Sequence, residues 1–306
     1  MIGIAIINYK TYEKTIDCIE SIRRTTKNQY KIYLLDNGSE NESAHILGKL
    51  YAGAADVEFI ISKENYGYAR GNNICIRHMR NDGCEFGVIS NNDIICEDNS
   101  VDTLIDDLKE HSEYLLVGPK IVDPIGVFQP SVKITPYGKI EYLLKSTYLA
   151  NLYKNGIRKE REQLKRLCEF VEVSWVSGAF FAFDLKKLGN VGDYDPTTFL
   201  FYEEYILSKR AVKLGYKLGY DPKVKVYHFH GASTGGGVNI ISKIAADRSE
   251  RYYLKRYSNW GSVFLHTVKM IRLCEVLFTF GKKQDWSSIR KYCSEVKKPL
   301  DSEGVK

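Results

Sequence analysis

In "VISNNDIIC" (88–96) two amides and a carboxylate, Asn91, Asn92 and Asp93, close an apolar run that reads as a buried strand. Asn and Asp bond their own backbone in turns, so a plain turn explains the stretch as well as a site does. A carboxylate there also suits Mg²⁺ or Mn²⁺ on a diphosphate. Such an ion takes one or two protein carboxylates and fills its other positions with water and phosphate oxygens. "NYGYARGNN" (65–73) has Gly67 and Gly71 bracketing Arg70 just before an amphipathic helix. Glycines let backbone approach a ligand and a helix N-terminus favours an anion; the bland reading is a turn and a helix start. The stretch is not GxGxxG, so the dinucleotide fingerprint is absent. In "LDNGSEN" (35–41) Asp36 suits a base N–H or a ribose hydroxyl, and equally a helix cap. "FLFYEEYILSKR" (199–210) opens a helix with Glu203 and Glu204. Helix neighbours point about 100° apart, so one can face a cleft as general base while the other supports it or is solvated. Acids in a first turn also simply suit the helix dipole. In "VYHFHGAST" (226–234) His228 and His230 alternate to opposite faces, so at most one lines a given site, on a metal or a phosphate.

The elements that must position these residues alternate strand and helix. Strand signals fall at 2–7, 30–35, 57–62, 86–90 and 114–118, with helical segments at 11–24, 42–51, 69–80 and 99–110. This predicts an α/β fold, a mostly parallel sheet with helices on both faces, whose ligands sit at the carboxyl ends of the strands. Asn8, Asp36, Asn65 and the Asn91–Asp93 run then share one edge. Residues 125–170 are less regular and end in a charged helical run. "VEVSWVSGAFFAFD" (171–184) returns to strand character, 197–234 reads as loop, helix, turn and strand, and "STGGGVN" (233–239) as a loop.

With 306 residues, 44% apolar and 27% charged, the composition is that of an ordinary globular chain. "MIGIAIINYK" has no basic leader and no stretch offers the roughly 18 apolar residues of a membrane span. The seven cysteines show no metal spacing and suit a reducing cytoplasm. Net charge is +6, and residues 241–306 hold fourteen Lys or Arg against seven Asp or Glu. Such a tail fits nucleic acid or an anionic membrane. The division expected is a catalytic domain over 1–240 and a basic helical region over 241–306. Within the latter, His266, Thr267, Lys269, Arg272, Glu275 and Thr279 form a polar stripe on an otherwise apolar helix at 262–280. That helix suits a membrane interface, or equally a core or an oligomer contact.

Taken together, "IINYK", "LLDNGS", "NYGYARGNN", "ISNNDI", "WVSGAFFAFD", "VGDYDPTTFLFYEE" and "HFHGAS" resemble, in order, the inverting GT-A glycosyltransferases of family 2, particularly the rhamnosyltransferase-like branch. The resemblance runs from residue 3 to about 234 and implies a GT-A fold with a C-terminal helical extension. It implies sugar transfer from a UDP- or dTDP-linked donor to a glycan or lipid-linked saccharide in surface polysaccharide synthesis. Position by position, it implies donor binding by Asn8, Tyr9, Asp36, Asn65, Gly67, Arg70, Asn73, Asn91, Asn92, Trp175, Gly178 and Arg210. Asp93 and His228 would hold Mn²⁺ or Mg²⁺, and Glu204, with Glu203 as the alternative, would be the base. The implied location is cytoplasmic, at the inner face of the membrane, with a homo-oligomer left open. Lys10, Asp184, Glu204 and Ile206 depart from the family's usual Asn, Arg, Asp and acid. A sugar nucleotidyltransferase, a non-catalytic sugar-nucleotide binder and a nucleic-acid-binding protein are the competing classes. The last leaves the strand-end polar set unexplained.

Overall fold

Buried residues divide by face along the first strand: Ile2, Ile4 and Ile6 enter one core and Ala5 another. The sheet is therefore covered on both sides. The computed structural model describes residues 1–145, 150–229 and 239–298; His230 and residues 233–238 of the expected glycine loop lie outside them. In chain order the elements are β1 (Ile2–Asn8), α1 (Tyr12–Thr25), β2 (Tyr30–Asp36), α2 (Ser43–Tyr51), β3 (Val57–Ile61), α3 (Gly67–Asn81), β4 (Phe86–Asn91), β5 (Ile94–Cys96), α4 (Ser100–Glu110) and β6 (Tyr114–Val122). There follow β7 (Phe128–Gln129), β8 (Val132–Lys133), α5 (Lys139–Lys145), α6 (Ala150–Arg166), β9 (Val171–Val173), β10 (Trp175–Val176) and β11 (Phe180–Asp184). The chain continues through α7 (Leu185–Val191), α8 (Glu203–Lys213), β12 (Lys217–His228), α9 (Ile240–Tyr257), α10 (Ser262–Gly281) and α11 (Trp286–Glu295).

The main sheet runs β3-β2-β1-β4-β11-β6-β12-β5. It is parallel from β3 to β4 and between β6 and β12, while β11 is inserted antiparallel. Helices α1, α2 and α4 pack one face through Ile19, Ile22, Leu47 and Leu104; α3, α7 and α8 pack the other through Ile76, Met79, Leu188 and Leu207. Gly87 admits the Phe183 ring of β11, which a Cβ would overlap. Register brings the parallel strand ends level: Asn8 pairs with Asp36, and Ile7 with Asn91. Across the sheet, His228 pairs with Ile94 of β5. Asp184, where the family's Arg is absent, caps α7 by accepting from Lys187 N at 2.8 Å.

The C-terminal helices form a small core of their own around Ile244, Val276, Phe280 and Tyr292, and a seam with Tyr142 of α5. The polar stripe expected on α10 does not share one face. His266, Thr267 and Lys269 are exposed, whereas Arg272 and Glu275 turn inward. Arg272 is bidentate on Glu250 and also pairs with Glu275, which meets Lys243 at 3.0 Å. Their partners on α9 decide the facing, because buried charges require matched neighbours. Among the described residues no helix is long and apolar enough to cross a membrane. All seven cysteines are free thiols, with Cys18, Cys75, Cys84 and Cys96 buried.

Candidate active site

The strand ends gather the expected polar residues in two layers. Beneath the edge, Asn8 and Asp36 are buried against each other, Asn8 Nδ2 donating to Asp36 Oδ2 at 2.7 Å. Thr15 Oγ1 donates to Asn8 Oδ1 at 2.8 Å, and Ser39 N to Asp36 Oδ1 at 3.0 Å. Asn92 Nδ2 donates to Thr11 and Thr15 Oγ1 at 2.8 and 2.9 Å. These amides brace the edge. Above it, Asp93 Oδ1 lies 3.1 Å from His228 Nε2, the two residues 8% and 5% exposed. Their meeting follows from the β5–β12 pairing, extended by Phe229 N donating to Asp93 O at 2.9 Å. Tyr9 is half-buried beneath the Lys10 ammonium, 5.0 Å from its ring centre.

A second set holds the loop that leads into α8. Asn65 Oδ1 accepts from Gly67 N at 2.9 Å and Asn37 Nδ2 at 3.0 Å, opening α3. Gly67 has φ +78°, and a Cβ there would overlap the Phe199 carbonyl oxygen, which accepts from Tyr68 N at 2.7 Å. Arg70 Nε donates to Pro196 O at 3.0 Å, and Asn73 both donates to and accepts from the Tyr194 backbone. Arg210 donates to the Asp193 and Val191 carbonyls. Gly67, Arg70, Asn73 and Arg210, expected at the donor, thus hold loop backbone in this structure. The physical reason is that the carbonyls of 191–199 belong to no strand and must find donors elsewhere. Gly67→Ala is expected to cost more than about 1 kcal/mol, because it adds a positive-φ penalty to a clash; urea denaturation measures it.

The loop delivers Glu203 and Glu204. Phe201 and Tyr202 both take φ +70° immediately before α8. Glu203 is buried and its Oε2 has no partner among the described residues, while Glu204 is half-buried. Glu204 borders Gly178: a Cβ built there would sit 3.9 Å from Glu204 Cδ and 3.7 Å from Tyr68 Cε1. The Tyr68 hydroxyl lies 2.6 Å from Gly178 O and 3.0 Å from Asn91 Oδ1. It therefore bridges the glutamate side to the Asn91–Asp93 turn. Trp175 stacks on Tyr205 at 4.8 Å, and its Nε1 has no partner among the described residues. Beside His228 and Ser177 opens a cavity of about 360 Å³, lined also by Phe128, Gln129, Ser131 and Arg161.

Residues 3–206 match the model of the family described as glycosyl transferase family 2. The chain belongs to that family. This family 2 transferase is 26% identical over 278 residues to the N-acetylglucosaminyl-diphospho-decaprenol L-rhamnosyltransferase of Mycobacterium tuberculosis, in strains CDC 1551 / Oshkosh and ATCC 25618 / H37Rv alike. The alignment covers 83% of this chain and 87% of the relative. Its fold is similar to that of GalNAc-T7 with UDP, GalNAc and Mn²⁺, at TM-score 0.58 and 15% identity over 85% of this chain. The transferase spans about half of that longer chain, 49%. It is also similar to the mannosyltransferase PcManGT of Pyrobaculum calidifontis in complex with GDP-Man and Mn²⁺. There the TM-score is 0.54 at 12% identity, over 96% of this chain and 85% of the other.

The electrostatics of the glycosyltransferase separate its two glutamates. Burial pushes the Glu204 carboxyl up to about 7. Burial, and then the Glu204 charge, hold Glu203 well above the usual carboxylate range. Burial, with the glutamate charges behind it, raises the Tyr68 hydroxyl, which stays a donor. Sequence reasoning missed Tyr68 as a bridge, although "NYGYARGNN" contains it. It also missed the grip of α9 on the loop ahead of Glu203. Ser249 Oγ donates to Leu200 O at 3.0 Å, Tyr202 donates to Glu250 at 2.9 Å, and Tyr252 and Tyr257 donate to Asp195. No local pattern signals that grip, since its partners lie about 50 residues away in the chain.

Proposed function

We propose that this glycosyltransferase moves a sugar from a UDP- or dTDP-linked donor to a hydroxyl of a glycan or lipid-linked saccharide, with inversion at the anomeric carbon. The observation that carries the reading is the line from Asp93–His228 through Asn91 and Tyr68 to Gly178 and Glu204. In this reading the diphosphate lies at the Asp93–His228 end and the base at the other. Glu204 takes the proton of the acceptor hydroxyl, whose oxygen attacks the anomeric carbon as the nucleoside diphosphate leaves. Glu203, protonated, adds no second charge beside it. Asp36, Asn65, Asn8 and Asn92 shape the nucleotide side of the edge, with Tyr9 and Arg70 at its rim; Trp175 and Gly178 line the sugar side.

Asp93 and His228 fit a divalent cation. One carboxylate oxygen and one imidazole nitrogen stand side by side, and no third His, Cys, Asp or Glu joins them in a cluster among the described residues. That leaves positions for phosphate oxygens and water, as Mg²⁺ or Mn²⁺ on a diphosphate requires. Bound there, the ion would neutralise charge growing on the leaving diphosphate. The structural neighbours that carry Mn²⁺ support this reading. A rhamnosyl donor and a lipid-diphosphate-linked acceptor are supported by the mycobacterial relative's name. The cavity beside His228 supports a saccharide acceptor. Gln129 Oε1 and Arg161 Nε, buried in its wall, have no partner among the described residues. A sugar hydroxyl, which both donates and accepts, satisfies such a pair.

The test is thermal shift with UDP, dTDP, GDP and CDP, each with and without Mn²⁺. A ligand bound at about 100 times its Kd stabilises by about 2.7 kcal/mol. The wild type is expected to shift with one diphosphate only when metal is present, and Asp93→Ala is expected to lose that shift. A metal-independent shift retained in Asp93→Ala would remove the cation from the proposal.

A further inference from the structure

The C-terminal helix α10 is apolar on two sides, one of them buried through Phe264, Val268, Val276 and Phe280. Its ionic side chains, Arg272 and Glu275, are buried against Glu250 and Lys243 of α9. Its outward face carries Val263, 80% exposed, with Met270, Cys274, Leu277 and Phe278. Positions 263, 270, 274 and 277 repeat at seven, four and three residues, so they fall on one side of the helix. Trp286, 58% exposed, follows at the start of α11. A surface helix normally turns its apolar stripe to the core. Here the buried side holds both an apolar row and the matched ionic pairs, and a second apolar row, beside the exposed His266 and Thr267, is left outside.

The charge around that face is one-sided. Lys269, Lys282, Lys283, Arg290 and Lys291 are all exposed. The acids nearby are committed: Glu275 to Lys243 and Arg272, Asp285 to capping α11 through Ser288 N, and Glu295 to Lys298. The Lys282 ammonium lies 3.9 Å from the Phe278 ring centre, so cation and apolar group are presented together. A second copy packed on the same face would bring two basic rims together, at an electrostatic cost. An anionic lipid surface takes both features at once: acyl chains receive the apolar residues, headgroups receive the lysines, and Trp sits at the boundary.

We propose that the outward face of α10, with Trp286 and the lysines at its end, docks on an anionic membrane surface. The inner face of the same helix holds Glu250, which holds Tyr202 ahead of the glutamates. Docking therefore fixes the active site at a set height above the lipid. This deepens the reading of a lipid-linked acceptor. Vesicle binding is measured without donor or acceptor, so either idea can fail alone.

The experiment is co-sedimentation of the full chain with vesicles of equal parts phosphatidylglycerol and phosphatidylcholine, and with phosphatidylcholine alone. Binding to the anionic vesicles is expected, weaker by at least about tenfold without the anionic lipid. The double variant Leu277→Glu/Phe278→Glu is expected to lose at least about tenfold with its melting temperature kept, since both sites are exposed. On the unaltered chain, a blue shift in fluorescence on binding, absent from Trp286→Phe, supplies a readout independent of that variant's folding. No binding to anionic vesicles, equal binding by the double variant, or no Trp286 response would overturn the proposal. So would a stable dimer in light scattering that the double variant dissolves, which would assign the face to a second copy.

Discussion

Glu204→Gln is expected to lower kcat by about 10²–10⁴-fold while leaving the nucleotide-induced thermal shift unchanged. The amide keeps the shape of the side chain beside Gly178 and Tyr68 but cannot take a proton. The wild-type pH profile should carry the same signature. Burial pushes this carboxyl up to about 7, so kcat/KM is expected to fall about tenfold per pH unit below that value and level off above it. The linked stability has the opposite sense. A carboxyl whose folded pKa lies above its ordinary 4.5 binds protons more tightly in the folded state. Its contribution to stability therefore declines as pH rises from about 4.5 to about 7. Glu204→Gln should remove that decline, leaving the inactive variant more stable than wild type in mild alkali. Glu203→Gln discriminates between the neighbours. Burial and the Glu204 charge favour the protonated form of Glu203, so its amide should preserve the pH profile and most of the rate. Loss of turnover in Glu203→Gln with activity kept in Glu204→Gln would exchange their roles.

The alternation of strand and helix was legible in the sequence because burial on both faces writes continuous apolar runs, as in "IGIAII", while half-buried helices write a period near 3.6. The common edge of Asn8, Asp36 and Asn91 followed from parallel register. The juxtaposition of Asp93 and His228 was implied by the family resemblance alone, since no local pattern reveals an antiparallel pairing between segments far apart in the chain. Arg70, Asn73 and Arg210 were read toward a ligand, and in the structure each also donates to a loop carbonyl. Backbone acceptors leave no mark on residue identity, so a side chain that serves them looks like one that serves a phosphate. The facing of α10 failed for a related reason. Periodicity gives the sides of a helix, but which side is inward was set by Asp247 and Glu250 on another helix.

Glu250→Ala is expected to destabilise the fold by about 3–5 kcal/mol, because it strands the Arg272 guanidinium in a buried site. Glu250 is 1% exposed and receives Tyr142 at 2.6 Å, Tyr202 at 2.9 Å and both Arg272 donors at 2.7 Å. Burial alone would raise its carboxyl, yet Arg272 and the two tyrosines more than offset this and hold it below the ordinary 4.5. Its contribution is therefore present above that value and lost as pH falls through the lowered one. Chemical denaturation at neutral and acid pH should show the gap between wild type and Glu250→Ala closing in acid. A catalytic effect is expected separately from Tyr202→Phe, which deletes one hydroxyl and leaves the ion pair. Tyr202 holds φ +70° next to Phe201 at the same angle, a conformation that costs of order 1–3 kcal/mol per residue and must be held by its surroundings. Released from Glu250, the turn can relax, and Glu204 moves with the first turn of α8. Tyr202→Phe should then lower kcat with little change in donor KM, whereas Tyr142→Phe, which removes a bond to the same carboxylate and one to the Tyr202 hydroxyl but leaves Tyr202 on Glu250, should cost stability but spare kcat. Equal kcat losses in the two phenylalanine variants would mean that the network acts only by holding the fold together.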